Sequence, residues 1–198
     1  RIDRVSARVI RQELAIQDDE LLIGIAARLD PMKDHATFLK AARYFLDSGG
    51  KAKFICAGDG PERESLISLA HEMGISQSVR WLGTRSDMPA IYNAMDINTL
   101  TSAWGEGFPN TIAEAMACGT PCVSTTVGDS TDIVLGEEYS IHLGDASALS
   151  KFWLTYSNLG WSDRQDISHA CRAKISMNYS IGAMIENSVQ HYTRMLSE

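Results

Sequence analysis

Two cations and two carboxylates have the types and spacing to handle a charged, hydroxyl-bearing ligand. Arg28 and Lys33 stand five positions apart in Arg28-Leu-Asp-Pro-Met-Lys33, with Pro31 stiffening the chain between them. A planar guanidinium fork and a compact ammonium can together hold two phosphates of a diphosphate. Glu106 and Glu114 bracket Gly107-Phe108-Pro109-Asn110-Thr111, where a glycine permits close backbone approach and a helix is expected to begin at Pro109 or Asn110. Exposed amides at such a helix start make an anion site. The flanking carboxylates are not suited to phosphate; they are suited to accept hydrogen bonds from hydroxyls, as an acidic residue does for ribose in dinucleotide folds. Taken alone, an Arg and a Lys in a loop also fit an ordinary solvated connection, and the glutamates also fit a helix cap and a solvated face.

The elements that must position these groups alternate between short apolar runs and amphipathic stretches, the pattern of βαβ units and a parallel sheet. Leu21–Ala27 has the continuous apolar character of a strand covered on both faces. Asp34 is the expected N-cap of a helix whose apolar positions are Phe38, Leu39, Ala42, Phe45 and Leu46, stopped by Gly49-Gly50. Lys53–Ala57, Val79–Leu82, Ile97–Leu100 and Pro121–Ser124 are the next strands; Ile133-Val134 and Ser140-Ile141-His142 are expected as short late ones. Helices are expected between them: one beginning at Pro61 and ending by Gly74, one over Met88–Ala94, and one carrying Glu114. From Ala146 onward the chain reads as helices, with breaks near Ser157–Asp163 and Asn178–Ser180. Gly58-Asp59-Gly60 is a tight strand-to-helix turn, since Arg63 stands where a dinucleotide fingerprint would place its third glycine.

Length and composition narrow the classes further. The chain has 198 residues, 44% hydrophobic and 22% charged, which suits one soluble α/β domain and disfavours a disordered tail or a disulfide-stapled miniprotein. A net charge of −7 argues against a nucleic-acid partner. No apolar run approaches the roughly 20 residues of a membrane span. Cys56, Cys118, Cys122 and Cys171 form no CxxC pair and read as free buried thiols, and the five histidines show no metal-binding spacing, so no metal site is expected. Arg1, Arg4, Arg8 and Arg11 recur at helical spacing and read as a solvated face. The sequence starts without Met or a signal-peptide pattern, so a longer protein is expected.

Taken in order, these loops resemble the donor half of the retaining GT-B glycosyltransferases of family four. The resemblance runs from Leu21 to Val134: the strand ending in Arg28 with Lys33 after it, FICAGDGPERESL, VRWLG, the block EGFPNTIAEAMACGTPCVST, and Gly128-Asp129. It implies a single Rossmann-like α/β domain, a parallel sheet with helices on both faces, over 1–198, with a core at about 20–145 and C-terminal helices at about 146–196. It implies transfer of a sugar from a nucleotide-diphosphate sugar with retention of anomeric configuration, in polysaccharide or glycolipid biosynthesis. Arg28 and Lys33 would hold the diphosphate and Glu106 the donor sugar. Thr84 and Arg85 would lie at the nucleobase, Gly107, Phe108, Pro109, Asn110 and Thr111 along sugar and phosphate, and Glu114 at the ribose. Ala27 and Pro109 stand where the family often has glycine. The acceptor, a sugar or lipid-linked glycan, would be bound by an N-terminal domain absent from this chain. No cofactor or metal is implied. The location implied is cytoplasmic, with peripheral membrane contact open to the full-length protein. A nucleotide-sugar 2-epimerase and a non-catalytic nucleotide-binding module are the alternatives; a hydrolase using Glu106 and Glu114 as an acid/base pair about 5–9.5 Å apart leaves Arg28 and Lys33 without a role.

Overall fold

The computed structural model describes residues 2–196. Its sheet has strands β1 (Leu21–Ala26), β2 (Ala52–Ala57), β3 (Val79–Gly83), β4 (Ile97–Leu100), β5 (Cys122–Thr125) and β6 (Ser140–Ile141) in the order β3-β2-β1-β4-β5-β6. Every pairing between them is parallel. The order reverses direction between β1 and β4, which opens a crevice at the carboxyl ends of those two strands.

Strand periodicity distributes the core. Leu21, Ile23 and Ile25 of β1 face one apolar cluster, while Leu22 and Ala26 face the other. The first cluster is covered by α2 (His35–Asp47), α3 (Arg63–Glu72) and α7 (Ala146–Ser157). Trp153 of α7 lies 5.5 Å from the Phe38 ring of α2 and 5.6 Å from the Phe54 ring of β2, centroid to centroid. The second cluster is covered by α1 (Arg4–Glu13), α4 (Met88–Ala94), α5 (Asn110–Ala117) and α8 (Trp161–Asn178). All four cysteines are buried and free.

Three local expectations are corrected. Ile133-Val134 is not a strand: Ser130–Ile133 forms a short helix, α6, because the buried Ser130 hydroxyl donates to the Thr125 carbonyl at 2.6 Å and bends the chain there. Pro61 does not open α3, which starts at Arg63 with Glu62 in the cap position. The arginine run is not wholly a solvated face: Arg8 is exposed, but Arg11 pairs with Asp96 at 2.8 Å and donates to the carbonyls of Ala94 and Glu20. Arg1 lies outside the described residues. Asp34 caps α2 as expected, accepting from the Thr37 amide at 3.1 Å. The C-terminal breaks fall where expected, between α7 and α8 and between Asn178 and α9 (Ile181–Leu196).

Candidate active site

The crevice is built by loops that bind one another. After β1, Ala27 and Leu29 donate to the carbonyls of Ala57 and Asp59, so the loop carrying Arg28 is laced to the one leaving β2. Gly58, at φ +143°, makes this possible, because a Cβ there would overlap the Ala27 carbonyl. On the other side, the Ala103 amide donates to the Met32 carbonyl and the Thr101 hydroxyl to the Lys33 carbonyl, each at 2.8 Å. The 3-10 turn Pro31–Lys33 is thereby tied to the loop leaving β4.

That tie brings Lys33 and Glu106 into contact. The Lys33 ammonium and the Ser102 hydroxyl both donate to Oε1 of Glu106. The pair is well covered, with 16% of the Lys33 side chain and 7% of the Glu106 side chain exposed. Arg28, on the same connection, is 70% exposed, and its Nε lies 3.6 Å from Asp30. The two cations are therefore unequal: Lys33 is covered and paired with Glu106, while Arg28 is mostly exposed beside Asp30. Behind them the imidazole of His35 is wholly buried without a hydrogen-bond partner, and burial pushes its pKa down to about 4.

A cleft of about 250 Å³ opens at the carboxyl ends of β1 and β2. Small residues at the ends of β1 and β2 (Ala26, Ala27, Ala57 and Gly58) leave room in it, and Thr84, Arg85, Thr111 and Glu114 stand around it. The methyl group of Ala27 is thus part of the wall. The Arg85 guanidinium is already engaged: it pairs with Asp87 at 2.8 Å and with Glu13 of α1 at 2.9 Å. These partners, Asp87 foremost, hold its pKa above the usual arginine range, and Arg85 in turn lowers that of Asp87. Glu114 receives the Tyr92 hydroxyl at 3.0 Å on Oε2.

Pro109 occupies the cap position of α5 without a side-chain cap, and the helix begins at Asn110. The first amides of such a helix have no intrahelical acceptor. Gly107 and Asn110 are exposed. Phe108 turns toward the C-terminal helices, its ring 5.3 Å from that of Tyr179. Gly128, at φ +56°, abuts the Glu106 carbonyl. Ser102, Tyr92 and Glu13 were not singled out from sequence. Ser102 and Tyr92 lay in segments that read only as a loop and as a short helix, and no spacing rule joins Glu13 to Arg85.

A second hollow of about 300 Å³ lies at the amino ends of β4 and β5, beside Arg4, Arg11 and Arg164. Arg11 is bound there to Asp96, and Arg4 donates to Gln165. No group of three or more His, Cys, Asp or Glu among the described residues could hold a metal ion. No helix among them is long and apolar enough to cross a membrane.

Comparison with known proteins agrees with this layout. Residues 6–154 match the family Glycosyl transferases group 1. The D-inositol 3-phosphate glycosyltransferase of Corynebacterium jeikeium is 38% identical over 135 residues, 64% of this chain and 32% of its own length. The UDP-Gal:alpha-D-GlcNAc-diphosphoundecaprenol alpha-1,3-galactosyltransferase of Escherichia coli is 26% identical over 190 residues, 92% of this chain and 48% of its own. The chain thus spans about a third to a half of the length of these relatives. Among solved structures, Anabaena HepE in complex with UDP superposes with a TM-score of 0.86 at 22% identity, over 97% of this chain and 53% of its own. The C-terminal domain of the group 1 protein LpcC from Francisella tularensis superposes at 0.74 and 21% identity, over 86% of this chain and 91% of its own. With its parallel Rossmann-like sheet arranged as in GT-B structures, this chain belongs to the glycosyl transferases group 1 family.

Proposed function

We propose that this chain is the donor-binding domain of a retaining glycosyltransferase, which moves a sugar from a nucleotide-diphosphate sugar to an acceptor. The observation that carries the reading is the covered Lys33–Glu106 contact on the loops leaving β1 and β4 at the switch point of the sheet, together with a cleft at the ends of β1 and β2 that Glu114 lines. Breaking the bond between the anomeric carbon and the diphosphate leaves positive charge on the sugar and negative charge on the leaving phosphate. Lys33, Arg28 and the first amides of α5 act on the negative side, where preorganised donors lower the barrier most. Glu106 accepts from hydroxyls of the transferred sugar and Glu114 from those of the ribose. The base enters the cleft at Thr84 and the backbone of Arg85, whose guanidinium is committed to Asp87 and Glu13.

Gly107, Phe108, Pro109, Asn110 and Thr111 line the sugar and phosphates in this reading, and the chain's own cations do the work of charge stabilisation with no metal or cofactor. The match to an isolated C-terminal domain over 91% of that domain's length supports the domain assignment. The names of the Escherichia coli relative and the Anabaena UDP complex support a nucleotide-sugar donor. A second, N-terminal domain binds the acceptor, a sugar or lipid-linked glycan in polysaccharide or glycolipid synthesis. The apolar residues Ile181, Ile185 and Val189 of α9 are exposed, and in this reading they are the surface that packs against that domain. The longer protein acts in the cytoplasm, with peripheral contact to a membrane.

Calorimetric titration with UDP, GDP and ADP tests the site. One of the three is expected to bind, and Lys33→Ala and Glu114→Ala are each expected to weaken it about tenfold or more, in line with the loss of one charge-assisted hydrogen bond. Binding that neither substitution alters would overturn the assignment.

A further inference from the structure

The two carboxylates of the site share a feature that their spacing in sequence does not announce: a buried hydroxyl holds each one by a single oxygen. Ser102 is wholly buried, and its hydroxyl donates to Oε1 of Glu106, the same oxygen that receives the Lys33 ammonium. Ser102 is fixed from behind, since its carbonyl accepts the Thr125 hydroxyl at 2.6 Å. Tyr92, 2% exposed, donates to Oε2 of Glu114, and its own carbonyl accepts the Thr120 hydroxyl at 2.6 Å. Burial, and then the neighbouring Glu114, raise the Tyr92 phenol above its ordinary range, so its proton stays available to donate. Among the described residues, no hydrogen bond reaches Oε2 of Glu106 or Oε1 of Glu114.

A carboxylate anchored through one oxygen presents the other in a fixed direction, and an acceptor held this way spends no rotamer freedom when a hydroxyl arrives. Resting on the donor-site reading above, we propose that Ser102 and Tyr92 are positioning residues with separate charges. Ser102 sets Oε2 of Glu106 against a hydroxyl of the transferred sugar, and Tyr92 sets Oε1 of Glu114 against the ribose hydroxyls. Ser102 lies outside the lining of the cleft, whereas Tyr92 borders it, and the Tyr92 hydroxyl acts on the ligand through the carboxylate it holds. Their loss therefore acts on recognition of one part of the ligand and spares the other.

The test compares dissociation constants within each variant of the 198-residue chain, so that any unfolded fraction does not enter the comparison. The probes are UDP, GDP and ADP, the glucose and mannose conjugates of whichever binds, and its 2′,3′-dideoxy analogue. Ser102→Ala is expected to weaken the better sugar conjugate about tenfold while the plain diphosphate stays within about twofold. Ser102→Thr, which keeps the hydroxyl, is expected to restore most of that loss. Tyr92→Phe is expected to weaken the diphosphate and its conjugate together and to abolish the preference for the ribose over the dideoxy form. If Ser102→Ala weakens both ligands equally, or Tyr92→Phe leaves the ribose preference intact, the division of labour is overturned while the donor site stands. If the wild-type chain binds none of the three diphosphates, the donor reading falls and this inference with it.

Discussion

Gly128 does for the site what no side chain there can. It sits at φ +56°, beyond what most residues adopt without strain, and a Cβ would overlap the carbonyl of Glu106. The Asp129 amide next to it donates to the Gly107 carbonyl at 3.4 Å. Gly128→Ala is therefore expected to displace the loop bearing Glu106. A thermal melt should show a loss of about 1–2 kcal/mol, the left-handed backbone cost of an ordinary residue, and titration should show weaker binding of the donor. Unchanged donor affinity would mean that this loop accommodates the methyl group elsewhere. Lys33 and Glu106, singled out by type and spacing, come into contact, and Glu114 shares one cleft with Thr84, Arg85 and Thr111, which only the family resemblance pointed to. What Arg85 does with its charge was not legible, because Glu13 lies seventy-two positions away and only the docking of α1 brings it near.

At the scale of elements, the junction between the Lys33 turn and α2 rests on Asp34. This residue takes φ +43° and still caps the helix, accepting from the amide and the hydroxyl of Thr37. Asp34→Ala keeps the backbone cost and loses the cap, so it is expected to destabilise by about 1–2 kcal/mol. Asp34→Gly loses the cap but relieves the backbone, and urea midpoints should place it between wild type and the alanine variant. Strands β1 to β5 were legible because each is a short apolar run bounded by turn residues, and the six buried residues of β1 show why its run is unbroken. Ile133-Val134 misled because two β-branched apolar residues fit a strand equally well, and only the Ser130 hydroxyl bond to Thr125 makes a helical turn there. Pro61 was placed in the first turn by its fixed φ, yet the Glu62 amide reaches back to the Leu29 carbonyl and delays the helix to Arg63.

At the scale of the whole molecule, stability and site meet at His35. Its pKa falls from 6.5 to about 4 on folding because the ring is buried neutral. The unfolded chain therefore binds more protons between those values, and stability present above pH 6.5 is lost as the pH falls toward 4. The loss attributable to this group is on the order of 3 kcal/mol. Urea denaturation at pH 7 and pH 5 should show about 2 kcal/mol of it, and His35→Gln should flatten the difference; an equal slope in the variant would assign the effect to other groups. The parallel order of the strands followed from the alternation of elements, whereas the reversal between β1 and β4 that opens the crevice is a property of assembly that no local run encodes.

The Lys33–Glu106 contact has one more consequence, for how salt acts on binding. In the resting chain the ammonium already has an internal counterion. An arriving diphosphate exchanges one anion for another, so few mobile ions are released and affinity should depend only shallowly on ionic strength. Glu106→Gln leaves the ammonium to recruit its counterion from solution. That ion must depart when the phosphates arrive, and a plot of log Kd against log salt should steepen by close to one charge. Glu106 would then be the chain's built-in competitor, keeping Lys33 occupied until a stronger anion takes its place.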